Sequence, residues 1–171
     1  MKKRFRLACL FLSILCLICG CGREASREAA ETVEAILTLC GDYPAGTLYQ
    51  RSAEEGEVGY LSDSDFDLLY GENSAAYYLP LVEDYALYAS SFATPFEVAV
   101  FRCYSSSDAT RLGELLLQRA DTLSVLLREL GLYEVYGNGI LVTVVRRSAA
   151  LVMAKEPPPK GKTEALLRAT H

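Results

Sequence analysis

Catalysis by acid–base or nucleophilic chemistry needs a group that can move a proton or attack, and this chain has few. Its one histidine is His171, the last residue. A general base must be held within hydrogen-bond reach of its proton, and a terminal residue is a poor place for that. A Ser-His-Asp arrangement is therefore not expected. A zinc site would have to use Cys40, Cys103 and carboxylates with no imidazole, which falls short of a usual ligand set. Asp63, Asp65 and Asp67 alternate like the start of a calcium loop. The glycine and distal glutamate such a loop requires are not at the proper spacing, so they read as a solvated turn with helix-capping roles. A glycan hydrolase would need two carboxylates about 5–9.5 Å apart, and Asp84 with Glu97 is the pair to consider. No catalytic residue, cofactor or metal is expected.

Binding is the better-supported chemistry. The chain has 11 tyrosines and no tryptophan. Tyrosine buries a large ring while keeping a polar handle, which suits interfaces and stacking on sugars as well as the edges of a small sheet. Glu83 and Asp84 beside Tyr85 and Tyr88 form the candidate binding surface. Arg119 sits on the edge of an apolar helical face, three residues after Leu116 and four before Leu123. A structural ion pair with Glu83 or Asp84 is the expected account of it.

The start of the chain carries an address. Four basic residues fall within Met1–Arg6, an apolar run follows from Leu7 to Cys19, and charge returns at Arg23. A basic head, a short apolar core and a small residue before the cut make a secretory signal. As a helix the run would reach about 20 Å, short of a bilayer core of about 30 Å. Ile18-Cys19-Gly20-Cys21 resembles the lipobox of bacterial lipoproteins, with an aliphatic residue three before the cysteine and a small one directly before it. The resemblance implies cleavage before Cys21, diacylation of its sulfur, and tethering to the extracytoplasmic face of the cell membrane. Residues 1–20 would be the signal peptide, 21–155 one lipid-anchored domain and 156–171 a loose Pro- and Lys-rich tail.

Removing residues 1–20 takes away four basic residues and no acidic ones, leaving 13 Lys plus Arg against 22 Asp plus Glu. A surface so acidic is repelled by nucleic-acid phosphate, so nucleic acid is not an expected partner. The expected partners are the membrane, through the lipid, and an envelope protein or small molecule. Of six cysteines only Cys40 and Cys103 remain free for other uses. The exported compartment permits a Cys40–Cys103 disulfide, and both residues also fit as small buried thiols.

The elements that must position these groups follow from periodicity. Arg23–Cys40 has apolar residues at helical spacing, a cap at Ser26, and Gly41 and Pro44 to end it. Thr47-Leu48-Tyr49 reads as a short strand, and Ser62 or Asp63 as the cap of a turn or two of helix. Val82–Ser90 and Phe96–Tyr104 alternate as strands of a hairpin. Ser105-Ser106-Ser107-Asp108 opens the longest helix, whose leucine stripe runs from Leu112 to Leu130 and stops at Gly131. Ile140–Val145 is a nearly continuous β-branched run and reads as a central strand, with Ala149–Ala154 returning beside it. The fold expected is α+β: a small, mostly antiparallel sheet packed against a long helix plus an N-terminal helix.

These segments also carry a family likeness. Over roughly residues 30–154 the chain resembles an uncharacterised family of small lipoproteins from Firmicute-type bacteria, domain of unknown function 4358. The residues are Leu69-Tyr70-Gly71, Val82-Glu83-Asp84-Tyr85-Ala86-Leu87-Tyr88-Ala89-Ser90, Phe96-Glu97-Val98-Ala99-Val100-Phe101, and Asp108 heading a helix that carries Arg119. Paired strands near Val142 and Val152 complete it. Arg146-Arg147-Ser148-Ala149 stands where the family usually has a glycine and an aromatic, so the last hairpin departs from the pattern. The family has no established chemistry, so the resemblance implies no catalytic residue.

Overall fold

The computed structural model describes residues 27–90 and 95–170. The signal peptide, the Ser26 cap and Cys21 lie outside the described residues. Five strands form one antiparallel sheet in the order β1-β2-β3-β5-β4, from β1 (Gly46–Gln50), β2 (Val82–Ser90), β3 (Glu97–Cys103), β4 (Ile140–Val145) and β5 (Ser148–Met153). The helices are α1 (Ala29–Cys40), α2 (Asp63–Tyr70), α3 (Ser74–Tyr78), α4 (Ser106–Glu129), α5 (Tyr133–Tyr136) and α6 (Lys160–Arg168). The protein is thus a small α+β fold whose sheet packs against the long helix α4 and the N-terminal helix α1.

Strand alternation sends residues to two cores. Tyr85, Leu87, Ala99, Phe101, Leu151 and Met153 face α4, where Leu112, Leu115, Leu116, Leu123 and Leu127 bury against them. Ala86, Tyr88, Val98, Val100, Ala150 and Val152 face the other way, against Ala29, Val33, Ile36 and Leu37 of α1 and Leu167 of α6. With both faces covered, β2, β3 and β5 read as near-continuous apolar runs. At about 25 cal/mol per Å² of apolar surface buried, two such cores dominate what holds the fold.

Local signals start and stop the helices. Ser105 accepts from the Asp108 N–H at 3.1 Å and donates to its carboxylate at 2.6 Å, an N-cap at the head of α4. Ser62 caps α2 in the same way through Asp65. The chain turns out of α1 at Gly41, which adopts φ +75°. α1 itself begins at Ala29 rather than Arg23; Glu28 is extended ahead of it, and Asp84 accepts the Ala29 N–H at 2.9 Å.

Two expectations are corrected here, and one open alternative is decided. The segment read as a loose tail folds: α6 docks with Leu167 and Thr170 fully buried, Thr32 and Thr170 share a 2.9 Å hydrogen bond, and the Arg27 N–H donates to the Ala169 carbonyl at 3.0 Å. The Ile140–Val145 strand is at the edge of the sheet, not its centre. It is apolar on both sides because α4 covers one face and α6 the other, which also shields an otherwise exposed strand. Finally, Cys40 and Cys103 are both free. Cys103 is buried in the α4-side core and Cys40 packs at the margin of the α1-side core, so the sheet lies between them. A disulfide needs Cα atoms within about 7 Å on facing vectors.

Candidate functional site

The carboxylates the sequence singles out are largely committed to the fold. Glu97 lies on the α4 face of β3, only 2% exposed. Arg119 reaches it from α4, with Nη2 to Oε2 at 2.7 Å and Nε to the same oxygen at 3.1 Å. Tyr70 donates to the other oxygen at 3.4 Å, and the Arg119 guanidinium lies 5.9 Å from the Tyr70 ring centroid. Burial opposes the charge on Arg119, but Glu97 beside it outweighs this and holds its pKa above the ordinary value. The Tyr70 phenol is pushed well up, by burial first and by the Glu97 charge second. The expectation of a structural ion pair at Arg119 holds, but its partner is Glu97 rather than Glu83 or Asp84.

Glu83 and Asp84 are occupied at the other end of the hairpin. Glu83 pairs with Arg102 and Arg147, each at 3.5 Å. Asp84 holds the start of α1 and lies 4.0 Å from Arg102. Asp84 registers with Arg102 on β3, five positions from Glu97, which is about 17 Å at about 3.3 Å per residue. The two carboxylates also face opposite sides of the sheet, Asp84 toward α1 and Glu97 toward α4. They cannot act together on one glycosidic bond.

Of the candidate surface of Glu83, Asp84, Tyr85 and Tyr88, strand alternation sends Tyr85 to the α4 side and Asp84 and Tyr88 to the α1 side. Glu83, Asp84 and Tyr85 line a cleft of about 320 Å³ with Arg51 and Arg102. Tyr88, four residues beyond Asp84 on β2 and 8% exposed, does not join them; it packs in the α1-side core. Asp67 accepts from the Asn73 and Ala75 N–H groups, at 3.2 and 2.7 Å, tying α2 to α3. Asp65 and Asp67 of the acidic cluster are thus engaged at the starts of α2 and α3. Among the described residues no group of three or more His, Cys, Asp or Glu is placed to hold a metal. No described helix is long and apolar enough to cross a membrane.

A larger cleft, about 630 Å³, opens at the carboxyl end of α1. Tyr43, Phe96 and Tyr136 supply its rings, and Asp42, Lys155 and Glu156 its charges. Tyr43 stacks on Phe96 with 5.8 Å between centroids and 24° between planes, and meets Tyr88 edge-on at 5.4 Å. The Tyr88 hydroxyl donates to the Pro44 carbonyl at 2.6 Å, which fastens the loop that carries Tyr43. Tyr136 is tied to the end of β5 through Gly139, whose N–H donates to the Tyr136 carbonyl at 2.8 Å. The Ala154 N–H donates to the Gly139 carbonyl at 3.0 Å, and a β-carbon on Gly139 would meet the Ala154 carbonyl oxygen at 1.7 Å. Asp42, Lys155 and Glu156 are exposed and make no ion pair or side-chain hydrogen bond among the described residues. Their charges are free to meet a ligand, unlike those of Glu83, Asp84 and Glu97.

The sequence reading did not bring these residues together. Tyr43 and Tyr136 are single rings in irregular stretches, and Lys155 and Glu156 follow the last strand. Gly41 and Pro44, noted there only as a helix stop, are the available signal for a shaped loop. No family model, curated protein or solved structure matches the chain.

Proposed function

We propose that this protein is a non-catalytic binding module of the bacterial cell envelope, lipid-anchored through Cys21 on the extracytoplasmic side. The observation that carries the binding reading is the cleft at the carboxyl end of α1. It is the larger of the clefts described, its volume falls within the roughly 300–1,000 Å³ typical of ligand sites, and its charged groups are uncommitted. A concave site of this kind suits a small molecule or a protruding chemical group better than a flat protein surface does.

The anchoring reading rests on the basic head, the short apolar run and Ile18-Cys19-Gly20-Cys21. Two acyl chains hold a protein to a bilayer far better than one. Between Cys21 and Ala29 the chain can span at most about 28 Å even fully extended, at about 3.5 Å per residue. α1 has 12 residues and carries the cleft a further ~18 Å, at about 1.5 Å per residue. The amino end of α1 is therefore the end joined to the tether, and the cleft lies at the other end of that helix.

Mass spectrometry of the protein purified from the membrane fraction of its own cells tests the anchor. The expected mature chain starts at an acylated Cys21. An unmodified chain starting elsewhere overturns it. Mild crosslinking before purification tests the binding module, with Tyr43 and Lys155 as the expected sites of capture. Crosslinks confined to other faces would overturn the assignment of the cleft.

A further inference from the structure

We infer that the cleft at the carboxyl end of α1 binds an uncharged saccharide. This rests on the binding-module reading above and names its ligand class. The aromatic groups decide between two chemistries. An aromatic cage for a cation needs rings standing apart around a central space, each within about 6 Å of the charge. Here Tyr43, Tyr88 and Phe96 already touch one another, with centroids 5.4, 5.8 and 6.0 Å apart. These three rings therefore form no cage. Phe96 and Tyr88 are buried at 5% and 8% exposure, while Tyr43 is 43% exposed. The cluster thus offers one ring surface to solvent, backed by a stacked partner and held by the Tyr88–Pro44 hydrogen bond. A fixed aromatic platform of this kind matches the C–H face of a pyranose ring, and its immobility lowers the ordering cost of binding.

The remaining lining suits hydroxyl groups. The Asp42 and Glu156 carboxylates can accept from sugar O–H groups and the Lys155 ammonium can donate to sugar oxygens. An anionic ligand is disfavoured, because the single cation faces two carboxylates on an already acidic protein. A neutral ring with an apolar face and a polar rim fits the exposed Tyr43 face and this mixed lining.

The test is saturation-transfer NMR on the full lipidated protein in lipid nanodiscs, which avoids sugar-based detergents. The probes are trimers of β-1,4-linked N-acetylglucosamine, β-1,4-linked glucose and, as the charged control, β-1,4-linked glucosamine. Transfer to the ring C–H protons of a neutral trimer is expected, with Tyr43→Ala weakening binding at least about tenfold and Tyr43→Phe changing it less than about twofold. Asp42→Ala, on an exposed loop residue, is expected to weaken binding severalfold and serves if Tyr43→Ala does not fold. Absence of transfer to both neutral trimers at millimolar sugar overturns the inference, as does wild-type binding by a folded Tyr43→Ala or by Asp42→Ala. Tighter binding of the charged trimer overturns the uncharged class. None of these results bears on acylation of Cys21, so failure of the ligand class and failure of the anchor are read separately.

Discussion

Arg119 and Glu97 meet between α4 and the sheet, 2.7 Å apart, with side chains only 13% and 3% exposed. Each lies among apolar neighbours, and Tyr70 closes the remaining side. A buried pair of this kind contributes little net stability relative to well-packed apolar residues, yet breaking it strands a charge.

Arg119→Ala is therefore expected to cost about 3–5 kcal/mol by leaving Glu97 buried and uncompensated. Replacing both residues together, as Glu97→Leu with Arg119→Leu, is expected to recover much of that loss. Urea denaturation of the single and double variants checks it. A double variant no better than Arg119→Ala would mean the residues do not act as a pair.

The pairing was partly legible beforehand. A lone arginine on the edge of a leucine stripe predicts a carboxylate partner, and strand parity puts Glu97 on the same face as Ala99 and Phe101. What periodicity does not encode is which end of the hairpin the helix crosses, so Glu83 and Asp84 stood as equal choices. The strand and long-helix boundaries were readable because alternation and capping are local. The edge position of β4 was not, because its two covers, α4 and α6, come from distant segments. The cleft was least legible, since its rings converge from separate loops.

The folded tail makes its own prediction. Leu167 is fully buried beneath the sheet, so Leu167→Ala is expected to destabilise by about 2–5 kcal/mol. Limited proteolysis should then cut ahead of Lys160 in the variant while the wild type resists. Equal resistance would show that α6 contributes no such docking energy.

Two free thiols on opposite sides of a sheet should behave alike under oxidation. Burial pushes Cys40 up to about 11 and Cys103 to about 12, Asp108 adding to the latter, from an ordinary 9.0. Both should react with iodoacetamide at neutral pH far more slowly in the folded than in the unfolded protein, because thiolate is the nucleophile. Both should be labelled on unfolding without reductant. A pair resistant to label until reduced would contradict the separation across the sheet.

The same shifts fix the direction of the alkaline response. Groups whose folded pKa is raised contribute stability that is complete below their unfolded pKa and lost as pH rises through the folded one. For Cys40, Cys103 and the Tyr70 phenol all three shifts run upward. The melting temperature should hold near neutrality and fall progressively above pH 9.0, the unshifted thiol value. Cys103→Ala should flatten part of that fall, and calorimetry across the alkaline range checks it.

Gly139 should resist replacement. A β-carbon there would sit 1.7 Å from the backbone oxygen of Ala154, and neither strand nor turn can yield that far without moving Tyr136. Gly139→Ala is expected to lower the melting temperature and disturb the cleft, whereas Gly161→Ala, which meets nothing within 4 Å, should be neutral or stabilising. Paired melting curves decide it.

The hydrogen bond from Arg27 to Ala169 has a consequence for how the fold can be rewired. It brings the two ends of the described chain side by side, so that the elements form, in effect, a closed ring of connections. A short linker joining them would let the chain be opened elsewhere, and the exposed Glu54–Glu57 turn between β1 and α2 is the natural place. Such a circular permutant should keep both cores, because every contact that defines them is indifferent to where the polypeptide begins.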